Sequence, residues 1–417
     1  PKEVSRPRKS GDIVPERYIV KLNETPLGKQ KDSGNLVEDK IAKVLNRNGI
    51  LPQSNADTLI YKHAITGFAA NLTAAQKQAL QNDPDVAFIE QDKVIGIKPI
   101  NVGTPHLATQ HARPGGTEYP SGVLRIEGDK SPTANAPGNV DVDIAVLDTG
   151  INLKHSDLNV VQNVSFIPGA ATGDDDNGHG SHVGGTIGAR RDGKGVIGVA
   201  PGARLWAVKV LDSSGYGTMS QVIAGVDYVT KNADKIEVAN MSLGDKEQSQ
   251  AFNEAISHSV AAGVTHIVAA GNESDDSKDY SPANHPDVLT VSALADSDGK
   301  GGGLGSRTCD WEKDDSLASF SNYGPKVGIA APGACIESAW KANSSGTDTY
   351  VSISGTSMAS PHVAGAAGLV KAANKSLPPA QVYQTLINNA KPQNDPNYGF
   401  KGDKDGHPEP VLNVKGF

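Results

Sequence analysis

Cysteine and methionine are scarce in this 417-residue chain, which holds two and three of them. The two cysteines, Cys309 and Cys335, lack the spacing of a zinc site, which excludes a zinc-stapled module. They either pair, closing a loop of about 25 residues worth roughly 2–4 kcal/mol, or stand as two small unpaired residues. No apolar run approaches the ~18 residues of a membrane-spanning helix. Lys2, Arg6, Arg8 and Lys9 are followed by no apolar stretch, so no signal peptide is read within this sequence. An excess of positive charge is missing as well. The 39 Lys and Arg against 47 Asp and Glu leave a net charge of −8, which argues against a nucleic-acid partner. No internal repeat is visible.

What is present belongs to an ordinary globular chain, 37% apolar and 21% charged, with 46 Gly and 25 Pro marking many turns. The length fits two or three domains, or one large domain with a small one attached. Two textures divide it. Residues 17–22 alternate like a strand, and Leu36, Val37, Ile41, Val44 and Leu45 recur at helical spacing. Residues 58–63 and 67–72 read as a strand pair. Thr73 with Gln76 forms a capping box that opens a helix over 74–81, and 86–90 makes a last strand. The order β-α-β-β-α-β predicts a small ferredoxin-like α+β domain over 16–97, behind an extended or disordered segment 1–15. Residues 98–116 carry prolines, glycines and no apolar periodicity, and read as a linker. From about residue 117 to 417, short continuous apolar runs at 142–147, 205–210, 238–243, 264–270, 288–293 and 327–330 predict buried parallel strands. Helical patterns at 221–230 and 251–262 lie between them, so an α/β domain with a doubly wound, mostly parallel sheet is expected. Its sites should lie at the carboxyl ends of the strands.

Three segments stand out at such positions. Asp148 ends an apolar strand in Val146-Leu-Asp-Thr-Gly-Ile151. His179 sits between glycines at a helix start in Gly178-His-Gly-Ser-His-Val-Gly-Gly-Thr186. Ser357 opens an Ala/Gly-rich helix in Gly355-Thr-Ser-Met-Ala-Ser-Pro-His-Val-Ala-Gly365. Peptide hydrolysis needs a nucleophile, a base for its proton and an anion that orients the base, and Ser, His and Asp supply those roles. The chain order Asp, His, Ser differs from the orders of chymotrypsin and the α/β-hydrolases. An aspartic-protease reading of Asp148-Thr-Gly would need a second such motif, and none occurs. A lipase reading would need Gly-x-Ser-x-Gly at Ser357, which sits instead in Gly-Thr-Ser-Met-Ala.

On these motifs the chain from about residue 120 resembles the subtilisin family of serine endopeptidases, and residues 17–97 resemble that family's inhibitory propeptide, whose end is matched by Asp83-Pro-Asp-Val-Ala-Phe-Ile-Glu-Gln-Asp-Lys93. The resemblance implies Asp148, His179 and Ser357 as a triad and Asn272, in Ala269-Ala-Gly-Asn272, as the side-chain donor of an oxyanion hole. It implies Ser242-Leu243-Gly244 and Ala269-Ala270-Gly271 as the walls of the primary specificity pocket, with Tyr280 near its floor. A substrate strand would pair with these walls by main-chain hydrogen bonds. The family often takes large apolar residues there; Asp245 and Glu273 beside the walls, with Asp174, Asp175 and Asp176 before His179, are read as solvated loop charges, the alternative being acidic rims that favour basic substrate residues. His182 and His362 are expected to be structural, and Met358 matches the methionine beside the nucleophile. A silent relative acting as a scaffold would be expected to lose one of the four catalytic residues, and all four are present.

Calcium is the cofactor the resemblance implies. Asp157 matches a family ligand, and Asp192 takes the side-chain ligand position of the loop 190–196, although Arg190 and Arg191 there would oppose a cation. The acidic runs 174–176 and 296–298 lack the twelfth-position Glu of an EF-hand and fit only a generic hard-cation site. The resemblance further implies an extracellular monomer acting on proteins and peptides, released from its own propeptide by self-cleavage somewhere in 98–116. Pro99 disfavours the bond just after Lys98.

Overall fold

The computed structural model describes residues 9–24, 33–51, 58–98, 106–107, 119–307, 311–342 and 348–417. The N-terminal unit comprises β1 (Ile13–Leu22), α1 (Ser33–Arg47), β2 (Leu59–Tyr61), β3 (Gly67–Asn71), α2 (Ala74–Gln81) and β4 (Val86–Gly96). Its strands lie in the order β2-β3-β1-β4, antiparallel throughout, which is the ferredoxin-like arrangement expected. The Thr73–Gln76 capping box is present, with both reciprocal bonds. β1 begins three residues before the expected boundary at residue 16, because Ile13 already pairs with Lys93.

Period-two alternation in β1 divides its side chains between two cores. Val20 and Leu22 pack under α1 and α2 with Val37, Ile41, Val44 and Leu80. Ile19 faces the other way and shares a cluster with residues of the large domain. Strand β4 runs six residues past the expected end at residue 90. The extension is invisible to a single-domain reading, because its last residues pair outside their own domain. Val94, Ile95 and Gly96 lie antiparallel to Thr218, Gly217 and Tyr216 of a later strand.

The large domain continues with β5 (His106–Leu107), α3 (Ser121–Arg125), β6 (Asp143–Asp148), β7 (Val160–Ser165), α4 (His179–Gly188), β8 (Arg204–Lys209), β9 (Tyr216–Thr218) and α5 (Met219–Lys231). Then follow β10 (Val238–Met241), α6 (Gln250–Ala261), β11 (Thr265–Ala269), β12 (Leu289–Ala295), β13 (Ser316–Leu317) and β14 (Val327–Pro332), with β15 (Ile336–Ala339), β16 (Tyr350–Ile353), α7 (Thr356–Ala373) and α8 (Pro379–Asn389) completing the chain. The strands β7-β8-β6-β10-β11-β12-β14 form a parallel sheet, and only β13 joins antiparallel. From β6 the chain builds first toward β8 and β7 and then returns to β10 on the other side. The carboxyl end of β6 therefore lies at the topological switch point, where a crevice opens.

Helices cover both faces. Ile144 and Val146 of β6 pack against α4 and α7, while Ala145 and Leu147 pack against α5 and α6. The 98–116 stretch is not purely a linker: His106 and Leu107 pair with Ser352 and Val351 of β16. Among the described residues, no helix is long and apolar enough to cross a membrane.

Candidate active site

Strand β6 delivers Asp148 to the switch point with its side chain fully buried. A buried carboxylate needs partners. Thr149 N donates to its Oδ1 at 2.7 Å, and His179 Nδ1 lies 2.8 and 2.9 Å from its two oxygens. His179 is the first residue of α4. The approach of α4 to β6 depends on Gly180, where a Cβ would fall 2.0 Å from the Gly150 carbonyl and 3.2 Å from Asp148 Cβ. Burial disfavours the charged imidazolium of His179, but the Asp148 charge and hydrogen bond outweigh it, and the net shift of its pKa is upward.

Asp175, which sequence reading placed only within a generic acidic run, anchors the same helix. Its carboxylate accepts from the backbone N–H of Asn177, Gly178 and Ser181 and from the hydroxyls of Thr149 and Ser181, at 2.6–2.9 Å. An acidic side chain against a helix start meets free N–H groups and the positive end of the dipole. The spacing Asp175 to His179 was the available signal.

Ser357 is the second residue of α7, which begins after Gly355. Its Oγ donates to the Ser242 carbonyl at 3.2 Å, and Ser242 Oγ donates to the Ser357 carbonyl at 2.9 Å. Asn272 follows β11 through Gly271, where φ is +106° and an added Cβ would fall 2.3 Å from Asn322 Nδ2, leaving no room for a side chain. Thr356 N and Oγ1 donate to Asn272 Oδ1 at 2.9 and 2.8 Å, which fixes the amide and aims Nδ2 outward. That Nδ2 donates to the backbone carbonyl of Lys98 at 3.3 Å. Ser357 and Asn272 thus line one crevice, with the His179–Asp148 pair at the start of α4, which packs against α7, and the carbonyl held there belongs to the end of the small domain.

Residues 94–98 lie in the crevice as an extended strand. On one side they pair with β9 and Ile97 N donates to Gly215 O at 3.0 Å. On the other, Gly244 N donates to Gly96 O at 3.3 Å. Ser242, Leu243 and Gly244 form one wall of the pocket around Lys98, and Ala269, Ala270 and Gly271 the other, as expected. Tyr280 is buried and also lines it.

The reading of Asp245 and Glu273 as solvated loop charges is corrected. Asp245 is 7% exposed, and Lys98 Nζ reaches Asp245 Oδ1 at 3.4 Å and Glu273 Oε1 at 3.1 Å. Glu273 lines the pocket and Asp245 stands behind the Ser242–Gly244 wall within reach of the ammonium, an arrangement that linear sequence does not disclose.

His182 and His362 are structural. His182 Nε2 lies 2.8 Å from Ile336 O, and His362 Nδ1 lies 2.8 Å from Met358 O. Burial pushes their pKa values down to about 3 and about 4, so both stay neutral. Met358 is buried beside the nucleophile.

The expected calcium residues Asp157 and Asp192 both accept hydrogen bonds. Asp157 accepts from Arg190 N at 3.1 Å, Val196 N at 3.2 Å and the Tyr350 hydroxyl at 3.1 Å. Burial lifts its pKa to about 7. Asp192 is exposed and accepts from Lys194 N at 3.1 Å. The acidic run at 296–298 joins Asp314: among the described residues, Asp296, Asp298 and Asp314 are the one group whose potential ligand atoms gather within 4.8 Å. The run 174–176 does not, since Asp175 is taken up by α4. Cys335 is disulfide-bonded, while Cys309 lies outside the described residues.

Comparison with known proteins agrees with this geometry. Residues 140–406 match the subtilase family, and residues 17–98 match the peptidase inhibitor I9 family. The chain is 38% identical over 338 residues to alkaline serine exoprotease A of Vibrio alginolyticus, covering 79% of this chain but 56% of that protein. It is 33% identical to an alkaline protease of Alkalihalobacillus alcalophilus, covering 90% of this chain and 86% of that one. The solved structure of a cold adapted subtilisin-like serine proteinase superposes with a TM-score of 0.57 at 35% identity, covering 72% of this chain and 99% of that one. The chain therefore belongs to the subtilase family of serine proteases and carries an inhibitor I9 propeptide domain ahead of its catalytic domain.

Proposed function

We propose that this subtilisin-like serine protease works through Ser357, His179, Asp148 and Asn272, and that it releases its own propeptide. The observation that carries the reading is the Lys98 carbonyl hydrogen-bonded to Asn272 Nδ2 in the crevice lined by Ser357, with the His179–Asp148 pair at the start of α4, which packs against α7. Ser357 Oγ attacks the carbonyl carbon of a bound peptide while His179 Nε2 takes its proton. Asp148 holds Nδ1–H and stabilises the imidazolium. The oxygen that becomes negative is received by Asn272 Nδ2 and the Ser357 N–H. Collapse breaks the C–N bond as His179 hands the proton to the departing amine. Water, activated by the same histidine, then hydrolyses the acyl-enzyme.

The serine hydroxyl must rotate from the Ser242 carbonyl toward His179 for this step. Catalytic contacts of that kind often tighten only in the reacting complex. The 16–97 domain acts as an inhibitor before release, because its tail already fills the strand-binding crevice.

The residue presented for cleavage is Lys98, and the bond is Lys98–Pro99. The pyrrolidine ring fixes φ and removes the N–H on the leaving side, which makes this a slow bond and prolongs inhibition. The enzyme acts on proteins and peptides as an extracellular monomer, a reading supported by relatives such as the extracellular serine proteinase of a Thermus species, 37% identical over 342 residues.

We also propose calcium as a structural ion. Asp157 and Asp192 would hold it, the Asp157 oxygens already accepting from two N–H groups and the Tyr350 hydroxyl, and no catalytic step is routed through it. A Tm unchanged by a chelator would remove it from the account.

The self-processing claim is tested by Ser357→Ala. The purified variant should remain one uncut chain of 417 residues. Normal propeptide release by that variant would show that another protease does the cutting.

A further inference from the structure

We propose that the primary specificity pocket selects a lysine side chain, with Asp245 and Glu273 as the specificity-determining residues. This rests on the peptidase reading above and adds the substrate class to it. The occupant itself supplies the first observation. The residue whose carbonyl meets Asn272 is Lys98, and its side chain runs into the pocket, where Nζ stands 3.1 Å from Glu273 Oε1 and 3.4 Å from Asp245 Oδ1. The ammonium also lies 5.7 Å from the centroid of the Tyr280 ring, within the range of a cation–π contact.

The second observation concerns the two acids themselves. Asp245 is 7% exposed, and its Oδ2 is buried without a hydrogen-bond partner. A buried carboxylate is costly unless a cation stands near it, and here Lys98 Nζ supplies that charge from the Oδ1 side of Asp245. Its Oδ1 is held by Lys246 N at 2.6 Å, so the carboxylate cannot turn away into solvent. Glu273 is similarly fixed: its Oε2 accepts from Asn272 N at 2.8 Å and Asn322 Nδ2 at 3.0 Å, leaving Oε1 to the pocket. The neighbouring cations are otherwise engaged. Lys246 Nζ pairs with Asp275 at 2.7 Å and Lys278 Nζ with Asp276 at 2.8 Å. Burial lowers the pKa of Lys98, but Glu273 and then Asp245 outweigh it, and the net shift is upward. The ammonium is therefore held in its charged form.

An apolar side chain in this pocket would leave both carboxylates without the countercharge that Lys98 brings. A site built around a polar partner rejects the analogue that lacks it. The prediction is thus a selectivity for lysine over phenylalanine, set against the large apolar preference common among relatives of this fold.

The test uses the full chain after it has matured, with the fraction of active enzyme counted by a serine-directed fluorophosphonate. Two peptide p-nitroanilides with the same leading residues and either Lys or Phe before the cleaved bond are compared by kcat/KM. Wild type should favour Lys by about 30-fold, the factor that ~2 kcal/mol carries, and Asp245→Asn should collapse the Lys/Phe ratio toward one. An enzyme that labels with the fluorophosphonate but prefers Phe, or an Asp245→Asn variant that keeps the wild-type ratio, overturns the lysine pocket while leaving the peptidase reading intact. A protein that neither labels nor cleaves either substrate overturns both.

Discussion

Replacing Asn272 with Leu keeps the shape of the side chain and removes both its donor and its acceptor. In the resting geometry the Nδ2 contact to the Lys98 carbonyl is 3.3 Å, longer than the 2.7–3.1 Å expected once the oxygen becomes an anion. The donor therefore contributes little to binding and much to the transition state, so the loss should appear in kcat. The expected drop is about 10²–10³-fold, or ~2.7–4 kcal/mol, a range that comes from subtilisin itself, a relative of this chain.

The lost acceptor has a separate effect. Asn272 Oδ1 accepts from Thr356 N and Oγ1, so Leu strands a donor at the start of α7 and should lower stability by about 1–3 kcal/mol. Asn272→Asp separates the two effects, because it keeps the acceptor and puts negative charge where the oxyanion forms. Steady-state kinetics on one peptide anilide, corrected for active-site concentration, would measure both variants. A kcat within tenfold of wild type for Asn272→Asp, or a loss confined to KM, would refute the oxyanion role.

Further expectations follow from the same geometry. Activity requires neutral His179, so it should fall as pH drops through a pKa above the ordinary 6.5. Asp148→Asn removes the two largest upward influences, leaving burial opposed only by the weaker Asp175 charge. The acid limb should then move below pH 6.5 while kcat falls about 10⁴-fold, and an unmoved limb would contradict the pairing. Gly180→Ala drives a methyl against the Gly150 carbonyl and Asp148, an overpacking of about 1–3 kcal/mol. Its kcat should drop at least ~10-fold and its Tm should fall, and wild-type kinetics would show that this close approach does not position His179. Glu90 accepts from Gln250 N and Ala251 N at the start of α6 and from the Ser249 hydroxyl. Glu90→Gln should weaken that cap by ~1 kcal/mol, about fivefold in the affinity of the cleaved propeptide for the enzyme. Activity recovered on dilution after processing would report it, and an unchanged recovery would remove this contact from the inhibitory interface.

The sequence showed most clearly what is local. The Thr73–Gln76 box sets α2 through residues three apart, and Asp148, His179 and Ser357 each sit at a strand end or helix start that neighbouring glycines mark. It was silent where structure depends on distant partners. Strand β7 escaped because its Val-Val-Gln-Asn-Val-Ser residues are half-buried to exposed at the sheet's end and carry no apolar run. The extension of β4 to Gly96 exists only because β9, more than a hundred residues later, receives it. Asp245 resembled any loop acid until the walls closed around it. Asp157 illustrates the converse: its position matched a ligand pattern, yet Tyr350, far along the chain, sends a hydroxyl to the same carboxylate.

The most direct test of the catalytic assignment is covalent. After propeptide removal, the protein is treated with a serine-directed fluorophosphonate, digested and mapped by mass spectrometry. The account predicts stoichiometric modification at Ser357, lost in His179→Ala. Modification at another serine, or none at Ser357 in enzyme that still cleaves peptides, would contradict it.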